Sequence, residues 1–257
     1  MKPDSIITSK ANPRFKAIQK QLVPSGTKRT HTLLLGEKLI EAWHASQNHP
    51  LRAERWLQLE STQNHPLQRN LKLPIFFLSE SLMRSLADAG SPPRHALLMG
   101  LEPERAGPLA SRVLIPWGIQ DPGNLGAMLR GAAACGFHEA LLGPGCADPF
   151  SPKALRGSMG AAFLLTIRRC ETLALDDGHW FALDSGPEAK SLSHIQWREP
   201  LRILVGNEGH GWQKEALPPE VMRVNIPTTN VESLNAAVAA GIACWEVQRR
   251  RSQAFGP

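Results

Sequence analysis

Tyrosine is absent from the 257-residue chain, and aromatic residues make up only 6% of it. Stacking of nucleic-acid bases on aromatic side chains is therefore not evident from the composition. The four cysteines, Cys135, Cys146, Cys170 and Cys244, are scattered, with no CxxC pair and no cluster of cysteines and histidines at the spacing of a four-ligand zinc site. We therefore expect buried thiols, with neither disulfides nor a metal site.

Long apolar runs are also missing from the sequence. No stretch approaches the roughly 18 uninterrupted apolar residues that a membrane-spanning helix needs. The opening residues, MKPDSIITSK, lack the apolar core of a secretory signal. The sequence therefore predicts a cytoplasmic protein without a membrane segment.

The familiar fingerprints of nucleotide-binding and ester-cleaving enzymes do not occur in the sequence. Residues 206–211 read GNEGHG, which does not match the GxGxxG of dinucleotide-binding folds. There is no GK[ST] of a phosphate loop and no GxSxG nucleophile elbow. These absences argue against hydride transfer on a standard dinucleotide fold, against ATP hydrolysis and against esterase chemistry.

Positive charge is concentrated in the first half of the chain. Residues 1–110 contain 15 Lys and Arg against 9 Asp and Glu, whereas residues 111–257 contain 14 of each. Between Lys10 and Arg29 there are six basic residues and no acidic one. Such a segment suits a polyanion, because Lys and Arg that neutralise phosphates release condensed counterions. A merely solvated surface is the alternative interpretation.

The order of predicted elements divides the chain into two α/β units. A short amphipathic helix is expected after Asn12-Pro13, followed by several strands and helices. Residues 102–108 are polar and contain Pro and Gly, as a linker does, which places the domains at 1–105 and 111–257. In the second unit strands alternate with helices, which indicates a mostly parallel sheet. The predicted strands of this unit are 113–115, 140–142, 180–183, 203–205 and 224–226. A long final helix is predicted to begin near Glu232.

Three glycine-containing segments, at residues 121–130, 206–211 and 226–235, each follow a predicted strand. Open α/β sheets bind ligands beyond the carboxyl ends of their strands, so these segments are candidates for a binding site. Their sequences resemble the three signature motifs of the SpoU/TrmH RNA methyltransferases, within the SPOUT superfamily. In order, the matching stretches are NLGAMLR at 124–130, LVGNEGHG at 204–211 and IPTTNVESLNAAVAAGI at 226–242.

The resemblance covers about residues 112–250 and implies a fold. The fold class would be α/β, with a SPOUT-type deep trefoil knot domain and a parallel sheet over residues 111–257. Residues 1–105 more loosely resemble the ribosomal-protein-like α/β domain that many members carry, and would bind the RNA substrate. The resemblance also implies a homodimer in which each active site lies close to the partner subunit.

The implied activity is transfer of a methyl group from S-adenosylmethionine to a ribose 2′-hydroxyl of ribosomal or transfer RNA. One alternative is methylation of a base nitrogen, as in other SPOUT branches, and another is a non-catalytic RNA-binding protein of the same fold. Arg130, Ser233 and Asn235 favour the ribose, since the base-modifying branch lacks this arrangement. The target nucleotide is not readable from the sequence, because RNA is recognised through shape and splayed bases.

The second and third motifs carry the cofactor-binding residues that the resemblance implies. Glycine at 206 and 209 would let the backbone approach the adenosine closely, because a side chain there would collide with it. Ile226 and Leu234 would form apolar walls, although both are alternatively plain core residues. The predicted cofactor-binding residues are Leu204, Gly206, Gly209, Ile226, Pro227, Ser233 and Leu234. On the predicted last helix, Leu234 shares a face with Val238, Ile242 and Trp245.

The resemblance also implies a reaction centre. Its predicted catalytic residues are Asn124, Arg130, Glu208, Ser233 and Asn235. Arg130 would orient the ribose or its 3′-phosphate bidentately, since a guanidinium stays protonated at neutral pH. Ser233 and Asn235 would hold the loop and the substrate, and Glu208 would fix the loops. The alternatives are a helix cap for Asn124, and a surface side chain for Arg130 and for Glu208.

RNA contacts are predicted on both units. The predicted RNA-binding residues are Lys10, Arg14, Lys16, Lys28, Arg29, Arg156 and Ser158. The last two lie in KALRGSMGA at 153–161, which resembles the family's segment between its first two motifs. An ordinary role at a helix start is the alternative for Arg156 and Ser158.

Overall fold

The computed structural model describes residues 6–23, 29–46, 51–87, 91–102, 107–207, 212 and 217–255. Strands in the first part of the chain form a four-stranded sheet in the order β1-β4-β2-β3, in which only β2 and β3 run parallel. The strands are β1 His31–Leu35, β2 Leu51–Leu59, β3 Ile75–Leu78 and β4 His95–Leu101. The helices are α1 Pro13–Leu22, α2 Glu37–Ala45, α3 Leu67–Leu71 and α4 Glu80–Leu86.

Helix α1 begins where the sequence predicts it. The side chain of Asn12 accepts a hydrogen bond from the backbone N–H of Arg14, and Pro13 occupies the first turn, where its missing N–H costs nothing. Phe15 and Ile18, three residues apart, are both fully buried. The remaining face of the helix therefore presents its basic residues to solvent.

The second sheet has seven strands in the order β7-β6-β5-β10-β8-β11-β9, and all its pairs are parallel. The strands are β5 Arg112–Pro116, β6 Glu139–Leu142, β7 Thr166–Arg169, β8 His179–Leu183, β9 Lys190–Ser191, β10 Leu201–Val205 and β11 Met222–Asn225. Every residue of the central strands β5 and β10 is buried, as expected for a sheet covered on both faces. The predicted α/β class with a parallel sheet is confirmed.

Three helices accompany this sheet: α5 Pro122–Ala134, α6 Pro152–Ser158 and α7 Ala236–Phe255. Helix α5 packs closely on α6, since a Cβ on Gly126 would lie 2.4 Å from the carbonyl oxygen of Ala154. Helix α7 begins at Ala236, four residues later than predicted. Its start is fixed by Asn235, whose Oδ1 accepts from the N–H groups of Ala237 and Val238 at 3.0 and 3.2 Å.

The two sheets are joined by polar contacts and by a shared apolar core. The hydroxyl of Thr32 donates to the carbonyl of Phe150 at 2.5 Å, and Arg29 forms an ion pair with Asp148. One core cluster includes Trp43 of α2 together with Phe163, which follows α6. Among the described residues, no helix is long and apolar enough to span a membrane.

Candidate functional site

A cavity of about 390 Å³ lies beyond the carboxyl ends of three neighbouring strands, β8, β10 and β11. We call it the loop cavity, because the loops that follow these strands and the segment before α7 form most of its wall. Its lining residues are Leu183, Asp184, Ser185, Gly186, Val205, Gly206, Asn207, Trp212, Val224, Ile226, Thr228, Glu232, Ser233, Leu234, Ala236 and Ala239. Loops of the second and third motifs therefore meet at one sheet edge, as their positions after strands predict.

Four of the predicted cofactor-binding residues line the loop cavity: Gly206, Ile226, Ser233 and Leu234. Two others do not. Leu204 is fully buried within β10, and Pro227 is exposed next to the cavity without lining it. Gly209 lies outside the described residues, as do Glu208 and the neighbouring histidine at 210.

Gly206 leaves an opening that a side chain would fill. A Cβ at this position would lie 3.1 Å from Cε2 and Nε1 of the Trp212 ring, tighter than an ordinary contact. The indole Nε1 of Trp212 is buried and has no hydrogen-bond partner among the described residues. Because a buried N–H without an acceptor is costly, this donor suits a polar group of a ligand in the cavity.

The loop after β8 was missed by the sequence analysis. Asp184 follows β8 directly, lines the cavity and forms an ion pair with Arg223 of β11. The N–H of Gly186 donates to Oδ1 of Asp184 at 3.2 Å, which fixes a turn. A signal was present in the sequence, because a predicted strand at 180–183 ends immediately before this Asp-Ser-Gly segment.

Two predicted catalytic residues are in direct contact. The side-chain amide of Asn235 donates to Oδ1 of Asn124 at 3.3 Å, which brings the first motif to the third. Asn124 is not the helix cap, the alternative considered for it. Asp121 caps α5 instead, accepting from the Asn124 N–H at 2.9 Å. An ion pair with Lys153 is the main cause that lowers the pKa of Asp121.

Arg130 lies six residues beyond Asn124 on α5, which is less than two helical turns, and does not line the loop cavity. Six residues correspond to about 9 Å of rise and about 120° of net rotation around the helix axis, so Arg130 and Asn124 occupy different faces. Its side chain is exposed, and Arg130 makes no ion pair with any residue that the structure describes. The guanidinium is therefore available to a substrate that reaches it from solvent.

The predicted RNA-binding residues fall into different environments. Lys10, Arg14, Lys16 and Arg156 are exposed, and Lys28 lies outside the described residues. Arg29 is engaged with Asp148. Ser158 is completely buried and its hydroxyl donates to the carbonyl of Leu155 at 3.0 Å, so its side chain does not face solvent.

One feature that the sequence did not predict is the position of Phe76. The guanidinium groups of Arg14 and Arg55 lie over its ring, at 5.4 and 4.5 Å from the ring centroid.

The cysteines form no disulfide among the described residues. Cys135 and Cys244 are buried as predicted, whereas Cys146 and Cys170 are only partly buried. Burial raises the pKa of all four thiols. None of them is thus a ready nucleophile at neutral pH.

Comparison with known proteins assigns the chain to a family. A model of the SpoU rRNA Methylase family matches residues 111–245. An uncharacterized tRNA/rRNA methyltransferase of Synechocystis sp. is 31% identical, over 98% of this chain and 96% of that protein. The 23S rRNA (guanosine(2553)-2′-O)-methyltransferase RlmP of Bacillus subtilis is 29% identical, over 94% of this chain and 98% of the relative.

A solved structure shares the whole fold. The SpoU methyltransferase AviRb of Streptomyces viridochromogenes, determined in complex with AdoMet, gives a TM-score of 0.80 at 23% identity, covering 93% of this chain and 98% of that one. The fold is thus that of a SpoU methyltransferase. The chain belongs to the SpoU rRNA methylase family, which confirms the family predicted from the three motifs.

Proposed function

We propose that this protein is an S-adenosylmethionine-dependent methyltransferase that modifies a ribose 2′-hydroxyl of ribosomal or transfer RNA in the cytoplasm. The observation that carries the proposal is the meeting of the second and third motifs in one cavity, within a chain that matches the SpoU family over residues 111–245. The first motif joins them through the bond between Asn124 and Asn235. RlmP, a relative along nearly its whole length, is a 2′-O-methyltransferase by name.

The loop cavity fits the methyl donor in size and in chemistry. Its volume of about 390 Å³ lies in the range of small-molecule sites. Gly206 offers a close backbone approach, Ile226 and Leu234 offer apolar walls, and Trp212 offers an N–H that no described residue accepts. S-adenosylmethionine would supply an electrophilic methyl group attached to a sulfonium. Asp184 and its turn would add acceptors for the polar parts of the molecule.

The reaction-centre residues would position the nucleophile. A ribose 2′-hydroxyl attacks poorly unless it is held in line and loses its proton, so orientation contributes much of the rate. The exposed fork of Arg130 suits the ribose 3′-phosphate, to which it would bind bidentately without giving up its own proton. Asn124 and Asn235, as a bonded pair, would hold the substrate at the cavity mouth, and Ser233 would hold the loop. Glu208 would fix the loops, as the resemblance implies.

The proposed roles in RNA binding and in methyl transfer are assigned to the two parts of the chain that contain the two sheets. Residues 1–105 would be the RNA substrate-binding domain and residues 111–257 the knotted methyltransferase domain. Support for the first role comes from the exposed Lys10, Arg14 and Lys16, and from the cluster of Arg14 and Arg55 on Phe76. Arginine planes and aromatic rings are the surfaces on which single-stranded bases stack.

A homodimer is part of the proposal, and the surface of α7 supports it. Val238 and Trp245, which the sequence places on one face of the last helix, are 50% and 56% exposed and lie about two helical turns apart. Large apolar groups clustered on a surface are typical of interfaces. Trp245→Glu should convert a dimer to a monomer in light scattering. A wild-type monomer at micromolar concentration would remove this part of the proposal.

Two measurements test the proposed activity. Calorimetry should detect S-adenosylmethionine binding at sub-millimolar concentration, and no heat would favour the non-catalytic RNA-binding alternative. Mapping of ribose methylation across total RNA, with and without the protein, should reveal a site that depends on it. A base methylation instead would support the second alternative.

A further inference from the structure

A second cavity, of about 380 Å³, lies at the opposite end of the parallel sheet. Residues at the beginning of the strands, Arg112 of β5 and Leu201 of β10, line it, whereas Val205 at the end of β10 lines the loop cavity. Helix α7 connects the two, with Ala239 at the loop cavity and Val247 at the second one, about 12 Å further along the helix. The second cavity is therefore separate from the proposed methyl-donor site.

Positive charge dominates the wall of this cavity. It is lined by four arginines and one carboxylate: Arg112, Arg198, Arg250, Arg251 and Glu199. We call it the arginine cavity. Part of the charge is neutralised, since Arg112 Nε donates to Glu199 at 2.7 Å and Arg250 Nε donates to Glu246 at 2.7 Å. Arg198 makes no ion pair within the described part of the chain, and its only bond is a long one of 3.4 Å to Gln196.

Arg112 lines the arginine cavity, and one of its donors has no acceptor among the described residues. Its side chain is 2% exposed, so each N–H needs a partner within the protein or a ligand. Nη1 donates to the carbonyl of Cys135 and to Gln248 at 3.3 and 3.1 Å. Nη2 is buried without a hydrogen-bond partner among the described residues. Because Nη2 shares an edge of the planar guanidinium with Nε, it faces the side of Glu199 and the cavity.

A second orphan donor belongs to the same wall. Trp197 lines the arginine cavity, packs on Phe181 with ring centroids 4.8 Å apart, and has a buried indole Nε1 without a partner among the described residues. Unsatisfied buried N–H groups favour a ligand that accepts hydrogen bonds. The guanidinium groups of the same wall favour a ligand that carries negative charge.

We propose that the arginine cavity binds a phosphate group. Guanidinium forks bind phosphate oxygens bidentately, and an anion beside Arg112 would supply the acceptor that its Nη2 lacks among the described residues. The cavity is larger than a phosphate alone, so there is room for an attached sugar. A backbone phosphate of the substrate RNA and a free nucleotide share this chemistry. The assignment of this phosphate to the substrate RNA rests on the proposed function, whereas the affinity of the cavity for phosphate does not.

The test is calorimetric titration of the full-length protein with inorganic phosphate at constant ionic strength. Saturating S-adenosylmethionine keeps the loop cavity occupied. Arg198→Ala should weaken phosphate binding about tenfold, by loss of a charge-assisted hydrogen bond. Glu199→Gln should tighten it several-fold, because the amide oxygen still accepts from Arg112 Nε while the repelling charge is gone. Arg84→Ala, at an exposed arginine on α4, is the matched control and should change nothing.

The Arg198 and Glu199 substitutions are expected to change phosphate affinity in opposite directions, and this result does not depend on methyltransferase activity. Binding weaker than about 10 mM in the wild type, or identical binding in the Arg198 and Glu199 variants, would overturn it. Uridine monophosphate and a short single-stranded RNA then distinguish the sources. Displacement of phosphate by RNA, with a raised KM for RNA and an unchanged kcat in Arg198→Ala, identifies the RNA backbone. Displacement of phosphate by uridine monophosphate but not by RNA identifies a free nucleotide as the ligand. Either result supports a phosphate site in the arginine cavity.

Discussion

Asn235 donates from its side-chain amide to the side-chain oxygen of Asn124 at 3.3 Å, across 111 residues of sequence. The same Asn235 caps α7 through its Oδ1, which accepts from two backbone N–H groups. One side chain therefore both starts the last helix and joins two motifs of the proposed reaction centre.

These two roles of Asn235 can be separated by substitution. Serine also caps helices but is too short to reach Asn124, so Asn235→Ser should retain the free energy of unfolding and lower kcat about tenfold or more. Asn235→Ala should lose both roles, with about 1 kcal/mol less stability. Urea denaturation and methyl transfer to RNA measure the two effects. Full activity in the serine variant would show that the bridge to Asn124 is dispensable.

Arg130 is exposed and unpaired with any described carboxylate, so its removal should leave the fold intact. Arg130→Ala should lower methyl transfer at least about a hundredfold, because substrate orientation is lost. Arg130→Lys should be intermediate, since lysine retains the charge but not the bidentate fork. Normal turnover in the alanine variant, at unchanged unfolding midpoint, would refute the proposed reaction centre.

Gly206 lines the loop cavity beside the ring of Trp212. In Gly206→Ala the new Cβ would lie 3.1 Å from the Trp212 ring and force it to shift, so S-adenosylmethionine affinity should fall about tenfold. Gly131→Ala is the matched control, because its Cβ would meet Gly241 Cα at an ordinary 3.5 Å. Calorimetric titration of both variants with S-adenosylmethionine measures this difference. Equal affinities of the two variants would show that S-adenosylmethionine binds outside the loop cavity.

The sequence predicted the elements that have strong local signals. Helix α1 has a cap and a proline, and the central strands are short apolar runs such as Val113 to Ile115. By contrast, β7 and β9 were missed, because TIRR and KS are short and polar and become strands only by pairing with neighbours. The start of α7 was placed too early because the capping residue is Asn235 rather than Glu232.

The candidate site was predictable to the extent that its residues lie in the motifs. Gly206, Ile226, Ser233 and Leu234 meet because each follows a strand end or precedes α7. Asp184 and the loop after β8 were missed because their place depends on β8 lying between β10 and β11, an order that no local pattern specifies. The burial of Ser158 likewise depends on packing between helices and not on its own sequence neighbourhood.

Acid should destabilise the first sheet through His95. This side chain is 2% exposed and accepts from Trp56 Nε1 at 3.1 Å through its Nδ1, so it is neutral in the folded protein. Desolvation, together with the nearby His65, lowers the pKa of His95. The unfolded chain therefore binds the proton first as the pH falls below about 6.5, and the free energy of unfolding decreases from there until the pH passes the lowered folded-state pKa.

Urea denaturation at pH 7.5 and at successively lower pH measures this loss of stability. His95→Asn retains an acceptor for the Trp56 N–H but does not titrate, so its stability should change less over the same pH range. His138→Asn, at an exposed histidine, is the control and should follow the wild type. If the wild type and His95→Asn lose stability in parallel, the acid sensitivity originates in other groups, and the buried imidazole contributes only its hydrogen bond to Trp56.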